Sequence, residues 1–505
     1  MKIWSGVFAT IFCVSMWSGA TPPNVIVFLV DDMGIMDSSV SFLTDEKGAP
    51  VQYPLNRWYR TPNMEHLAEQ GIRFNNFCAQ SVCSPTRASI MTGQNATRHG
   101  TTTWINPLKN NKGRYGPPKW NWMGLNKQSI TLPRILQKMG YRTIHVGKAH
   151  FGPRGSEGAD PLNLGFDVNV GGACWGRPKS YYSKDQYGNH PKYKKRMTHN
   201  VPGLEKYYDT ETFLTEALTL EAKEKIAEAV AEKKPFYLYM AHYAVHAPFQ
   251  SDPRFAAHYK DSKRSSQAQA FATLVEGMDK SLGDILGELE KLGVAENTLI
   301  FFLGDNGSDA PLGNPNDVSS SAPLRGKKGT SYEGGMRVPF IAAWAKPDAK
   351  NPWQQKLPIP AGAIQPQLGT VMDLYPTILA LVGAHNPAGH VLDGCDLAPQ
   401  LAGKKNPNRP ASFLMHFPHP HNNNYFTSYR TQDWKVVYDY NPKADRPTNH
   451  RLYHLKNDPF EEHNLASENP EKLQQMIRAM AHQMEKEHAL YPVDAQGHEL
   501  KPELP

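Results

Sequence analysis

Four apolar runs of similar length punctuate the chain, and each gives way to polar residues. Asn24 to Val30 ends in Asp31-Asp32-Met33-Gly34, and Tyr141 to Val146 in Gly147-Lys148-Ala149-His150. Phe236 to Ala241 leads to His246-Ala247-Pro248, and Thr298 to Leu303 to Gly304-Asp305-Asn306-Gly307. Unbroken apolarity over so short a stretch is the pattern of a strand buried on both faces. Between the runs lie stretches of helical period. Phe271, Leu274, Val275, Met278, Leu282 and Ile285 fall on one face, and Phe213 to Val230 behaves alike. Buried strands alternating with amphipathic helices predict an α/β fold with helices on both faces of the sheet. Ligands in such folds bind beyond the carboxyl ends of the strands, so the polar residues named above should converge on one rim.

Two regions interrupt the alternation. Thr101 to Leu125 and Gly152 to Tyr207 are long, weakly periodic and rich in Pro, Gly, Lys and aromatic residues, as functional or mobile loops are. Val371 to Leu381 reads as a helix, and Gly403-Lys404-Lys405-Asn406-Pro407 as a linker. Beyond it, Ser412 to His416, Tyr425 to Tyr429 and Trp434 to Tyr438 have strand character, and Glu471 to His488 has helical character. The expected organisation is a large N-terminal domain over residues 21–403 and a smaller C-terminal α+β subdomain over 404–505 with a short antiparallel sheet.

Composition narrows the function more than the fold. A chain of 505 residues can bury a large core in more than one domain. A formal net charge of +7 without a long basic run favours an anionic substrate and argues against nucleic acid as a partner. Lys2, the apolar Val7 to Val14 and Ser18-Gly19-Ala20 read as a secretory signal over residues 1–20. The apolar run is too short for a membrane anchor, so the protein is expected to be exported, periplasmic or secreted. Of the five cysteines, Cys13 lies in that segment, and Cys78, Cys83, Cys174 and Cys395 show neither zinc nor disulfide spacing.

The densest chemistry lies in Cys83-Ser84-Pro85-Thr86-Arg87-Ala88-Ser89-Ile90-Met91-Thr92-Gly93. Locally this is a helix start, with Ser84 as N-cap, Pro85 in the first turn and Gly93 as the stop. Cys83 then sits just outside the N-terminus and Arg87 about one turn along, where free amides and the helix dipole favour an anion. Taken singly, these residues fit a buried cysteine as well as an active site. Asp31-Asp32 and Asp305-Asn306 read as solvated turns, or as hard oxygen donors suited to Ca2+ or Mg2+ rather than zinc. Asn306-Gly307-Ser308 and Asn95-Ala96-Thr97 both fit a glycosylation acceptor. Asn95 is the expected one, because a metal ligand cannot carry a glycan.

Cys83-Ser84-Pro85-Thr86-Arg87, with Thr92-Gly93 behind it, resembles the signature of the formylglycine-dependent sulfatases. Gly147-Lys148-Ala149-His150-Phe151-Gly152, the His-x-Pro element at His246, Leu324 to Gly335 and Leu452 to Pro459 are similar to further family stretches. Ala149, where an aromatic is common, and Lys327, where a small residue is common, are the departures. The resemblance implies an alkaline-phosphatase-like fold with a large central mostly parallel mixed sheet flanked by helices. It implies that Cys83 is oxidised to Cα-formylglycine by a formylglycine-generating or sulfatase-maturating enzyme. One divalent cation, Ca2+ with Mg2+ as the alternative, would be held by Asp31, Asp32, converted Cys83, Asp305 and Asn306. Arg87 would hold the modified side chain, and Lys148, His246 and Lys328 the sulfate, with His150 as the base. Lys328 is chosen over Lys327 because the family's lysine immediately precedes Gly-Thr, and His242 is read as structural.

In the reaction this implies, one hydroxyl of the formylglycine hydrate attacks sulfur. The alcohol departs with help from His246 or Lys328, and the second hydroxyl, deprotonated by His150, expels sulfate. The expected substrate is a sulfated saccharide of galactose type. Trp104, Trp120, Trp122, Trp175 and Arg177 serve either as sugar contacts or as loop packing, and His416, His419 and His421 border the pocket. The rival readings are a formylglycine-dependent phosphonate or phosphate ester hydrolase and an inactive sulfated-glycan-binding protein.

Overall fold

Asn24–Val30 is buried along its whole length, as an apolar strand in the middle of a sheet must be. The computed structural model describes residues 21–196, 198–314, 318–421, 424–440 and 449–505, so the expected signal segment lies outside the described residues. The main sheet is built from β1 (Asn24–Val30), β2 (Ile72–Phe74), β3 (Arg142–Gly147), β4 (Val168–Val170), β5 (Phe236–His242), β6 (Thr298–Gly304), β7 (Phe340–Trp344) and β8 (Ala363–Gln365). Their spatial order is β4-β3-β5-β1-β6-β7-β2-β8. β7 runs antiparallel to both neighbours and every other pairing is parallel, so the sheet is mixed but mostly parallel.

The period-two alternation of β1 divides the core. Ile26, Phe28 and Val30 face one layer, with helices over Leu214–Ala231 and Ser266–Lys291. Val25, Val27 and Leu29 face the other, with Cys83–Thr92 and Leu374–Val382. Two packed layers on one sheet bury the strands on both sides.

The helix over Cys83–Thr92 starts two residues earlier than its local signals predict. Val82 is the N-cap, and Cys83 is the first helical residue rather than a flanking one. The Ser84 hydroxyl does not cap its own helix because neighbouring loops engage it. It accepts from the Ile105 amide at 3.1 Å and donates to the His150 carbonyl at 3.3 Å. Gly93 does end the helix, at a φ of 68° that suits glycine.

A second, antiparallel sheet follows, with strands Ser412–Pro420, Asn424–Thr431, Trp434–Asp439 and Asn449–His454 in that spatial order. The helix Pro470–Lys486 lays Leu473, Met476, Ile477 and Met480 onto it. Buried ion pairs tie the two sheets together. Glu333, after the main sheet's β6, meets Arg430 at 3.1 Å and Lys435 at 3.2 Å, and Lys435 also holds Glu461 at 2.7 Å.

Asn95 is fully buried: its side-chain amide donates to the Leu414 carbonyl at 3.0 Å and its oxygen accepts from Gln80. The folded chain therefore has no room for a glycan there, which overturns the expected acceptor. Cys78, Cys83, Cys174 and Cys395 are all free. Among the described residues no helix is long and apolar enough to cross a membrane.

Candidate active site

The loops that leave the carboxyl ends of β1, β3, β5 and β6 are laced together by their backbones. The Asp31 amide donates to the Ala244 carbonyl at 2.9 Å, and the Val245 amide to the Asp31 carbonyl at 2.7 Å. The Lys148 amide donates to Ala241 at 2.7 Å and the Asp305 amide to Val30 at 3.1 Å. The polar residues that terminate the four apolar runs thus share one rim, where this fold class binds ligands. Asp32 and His150 both sit in the left-handed region, at φ values of 61° and 57°. Such strain in residues with a Cβ persists where surrounding contacts hold it, commonly at functional sites.

Asp31, Asp32 and Asp305 are fully buried, with carboxylate oxygens within 4.8 Å of one another. Three cations answer them. Lys148 Nζ lies 2.7 Å from both oxygens of Asp31, and Lys328 Nζ 2.7 Å from Asp32. Arg87, carried one turn into the helix from Cys83, donates from Nε and Nη2 to Asp305 at 3.0 and 2.8 Å, and from Nη1 to the Lys148 carbonyl at 2.7 Å. Burial pushes the Asp31 carboxyl up against the pull of Lys148. Burial opposes ionisation of Asp32 too, but the facing His246 ring and the Lys328 ammonium hold it below the ordinary carboxylate range. The pairing with Asp32 outweighs burial at Lys328 and keeps that lysine protonated.

Asn306 donates its side-chain amide to Asp32 at 2.9 Å, while its Oδ1 is buried with no hydrogen-bond partner among the described residues. An orphaned amide oxygen beside three carboxylates is a set of hard oxygen donors of the kind that holds a divalent cation.

Cys83 Sγ is 3.3 Å from His150 Nδ1. The other ring nitrogen of His150 is 2.6 Å from the Ile105 carbonyl, which can only accept, so Nε2 carries the proton and Nδ1 is left open. Burial, reinforced by Lys148, drives the ring well below the ordinary histidine range and keeps it neutral. Burial also pushes the Cys83 thiol up. His246 gives Nδ1 to the Ala247 carbonyl at 2.8 Å and turns Nε2 to Asp32 at 3.5 Å. Lys327 points away, to Asp309 at 2.9 Å. His242 lies within β5 on the Ser281 hydroxyl at 2.9 Å, away from this group.

Above these residues opens a cavity of about 440 Å3, lined among others by Cys83, His150, His246 and Lys328. Trp104, Trp175, Arg177 and His421 reach it. Trp120 instead donates to Asn110 at 2.8 Å and packs on His419, and Trp122 donates to the Asn106 carbonyl at 3.0 Å, so these two are loop packing. His416 and His419 are buried in hydrogen bonds to Thr427 and Thr102. A larger cavity of about 730 Å3, lined by Glu333, Arg337 and Arg430, shares no residue with the first. Two contributors have no side-chain signature in the sequence: the Ile105 carbonyl that orients His150, and His199, brought to the cavity by an irregular loop.

The sulfatase family model matches residues 23–384, and a model for the C-terminal region of N-sulphoglucosamine sulphohydrolase matches residues 327–489. The dog (Canis lupus familiaris) N-acetylgalactosamine-6-sulfatase is 33% identical over 404 residues, spanning 77% of this chain and 68% of the relative. Its human counterpart is 33% identical over 403 residues, spanning 78% and 68%. The crystal structure of Ps i-CgsB in complex with k-i-k-neocarrahexaose superposes with a TM-score of 0.72 at 26% identity, covering 92% of this chain and 93% of that one. The chain belongs to the sulfatase family and is a sulfuric ester hydrolase.

Proposed function

We propose that the enzyme desulfates sulfated saccharides through a Cα-formylglycine made from Cys83, with one divalent cation beside it. The observation that carries this reading is the position of Cys83 Sγ: at the cavity floor, 3.3 Å from an open histidine nitrogen and next to the carboxylate cluster. A thiol whose pKa is raised stays protonated and is a poor nucleophile, which favours a converted side chain at this position. The hydrate of the aldehyde supplies two hydroxyls, one to attack sulfur and one to release the sulfate afterwards. Asp31, Asp32, Asp305, Asn306 and converted residue 83 would hold the cation, Ca2+ in preference to Mg2+, and it supplies Lewis-acid polarisation of sulfate oxygens.

The chain's own groups do the rest. His150 takes the proton from the hydroxyl at position 83 through Nδ1. Lys148 and Lys328 lie where the charge of a bound sulfate would build up, with His246 beside them on Asp32, and preorganised cations lower the barrier there. Lys328, which keeps its proton, stabilises the departing alkoxide. Arg87 fixes the helix start and Asp305 relative to each other. In this reading residues 21–403 are the catalytic domain and 404–505 the subdomain that closes one side of the pocket through His421. The N-acetylgalactosamine-6-sulfatase relatives support a galactose-type sugar. The composition of residues 1–20 supports export, where a maturating enzyme would convert Cys83 on the way.

The test is sulfate release from sulfated galactose and N-acetylgalactosamine saccharides with calcium present, conversion of Cys83 being read by peptide mass. Release that vanishes in Cys83→Ala is expected. Full turnover by an unconverted Cys83→Ser protein, or a higher kcat/KM on a matched phosphonate ester than on the sulfate, overturns the reading.

A further inference from the structure

The cations of the buried carboxylate cluster, of which Lys328 lines the cavity, each have a carboxylate: Lys148 on Asp31, Lys328 on Asp32 and Arg87 on Asp305. Arg177, on the wall of the same cavity, has none. It is half-buried, and among the described residues its guanidinium makes no ion pair. A guanidinium partly withdrawn from water without a counter-ion is a standing cost, recovered when a planar oxyanion meets its fork of donors.

The backbone around Arg177 is pinned on both sides. Trp175 donates to Asn200 at 3.1 Å and lies against His199 and under Arg154, 5.1 and 4.7 Å from its ring. The Lys179 amide donates to the His199 carbonyl at 2.6 Å. Trp175 is therefore an anchor rather than a platform for a sugar. Beside Arg177, His199 has a buried Nδ1 without a hydrogen-bond partner among the described residues. Burial together with the Arg177 charge holds that ring to about 4, so it is a neutral polar group at neutral pH. The Arg177 cation, without an ion-pair partner among the described residues, and the neutral His199 ring thus line one cavity, whose apolar wall is Trp104, Pro107 and Leu108.

Building on the saccharide sulfatase reading, we propose that Arg177 binds a second anionic group of the substrate, a sulfate or carboxylate on the same or the adjoining sugar. The reacting sulfate already has Lys148 and Lys328, so Arg177 sets specificity for polyanionic saccharides rather than supporting the chemistry.

The test compares three substrates: N-acetylgalactosamine 6-sulfate, N-acetylgalactosamine 4,6-disulfate, and 6-sulfated N-acetylgalactosamine linked to a uronic acid. A charge-assisted contact predicts that the native enzyme favours at least one two-anion substrate by about tenfold to a hundredfold in kcat/KM, and the favoured one identifies the second anion. Arg177→Ala should erase that ratio chiefly through KM, and Arg177→Lys should keep part of it. No advantage for either two-anion substrate, or an equal loss on all three in Arg177→Ala, overturns the inference while leaving the sulfatase reading intact. If converted protein releases sulfate from none of them, the saccharide reading falls instead. Calorimetric binding of the same compounds to Cys83→Ala, with and without Arg177→Ala, then decides the Arg177 claim: equal affinities refute it.

Discussion

His150 Nδ1 lies 3.3 Å from Cys83 Sγ, and the ring is fixed there by its other nitrogen, 2.6 Å from the Ile105 carbonyl. A backbone acceptor cannot change roles, so the tautomer that leaves Nδ1 free is set by the fold. His150→Ala should therefore lower kcat by about 10²–10⁴-fold with little change in KM, the range for loss of a positioned base. Steady-state kinetics on protein with verified formylglycine measures this. A rise in KM at constant kcat would mean that His150 only binds substrate.

The orphaned Asn306 Oδ1 makes the metal claim testable without any assay of turnover. Calcium that binds only the folded protein should stabilise it by about 2.7 kcal/mol at a hundred times its dissociation constant. Treatment with a chelator should remove that gain. Asn306→Ala deletes one oxygen donor and spares the carboxylate–cation pairs, so it should weaken calcium binding while the metal-free protein stays folded. Thermal unfolding with and without calcium reads both effects, and an unchanged calcium shift in Asn306→Ala would exclude this residue as a ligand.

Lys327 and Lys328 are adjacent but face different partners, Asp309 and Asp32 respectively. Only Lys328 lines the cavity. Lys328→Ala should cost about 10²–10³-fold in kcat, the scale for removing one preorganised charge. Lys327→Ala removes an ion pair with a partly exposed carboxylate and should cost far less. Equal losses, measured on protein of verified conversion, would show that the family-like position of Lys328 is not what selects it.

The strands that could be read from the sequence are those with enough apolar residues to exclude a surface role. β1, β3, β5 and β6 meet that condition, and with them came the rim that gathers Asp31, Lys148, His246 and Asp305. Ile72–Phe74 and Ala363–Gln365 are each three residues long, too short to show a period, and only pairing with Phe340–Trp344 and with each other makes them strands. Ser84 reads as a cap from the sequence because local chemistry cannot show that the loop at Ile105 engages its hydroxyl. The tryptophans of the irregular loops show the same limit. Trp104 and Trp120 have equal claims in the sequence, and only the course of the chain sends one to the cavity and the other onto His419.

The C-terminal helix meets the large domain at a seam closed by Glu487 and Thr97. Glu487 follows Pro470–Lys486 and is almost fully buried, accepting from Thr97 Oγ1 and, at 2.7 Å, from Gln483 Nε2. Burial, with nearby Asp393, pushes its carboxyl up to about 7 from an ordinary 4.5. Between those values the folded chain holds a proton that the unfolded chain has released. Stability from this group is therefore fully present below about pH 4.5 and declines as pH rises toward 7, a loss of the order of 3 kcal/mol. Glu487→Gln keeps the shape and cannot ionise. It should match the native protein at pH 4 and be the more stable of the two at pH 8. Denaturant midpoints measured across that range give the difference directly, since every other titrating group cancels between the two proteins. Parallel curves would mean that Glu487 is ionised in the folded chain, and that the charge of Arg98 beside it outweighs burial.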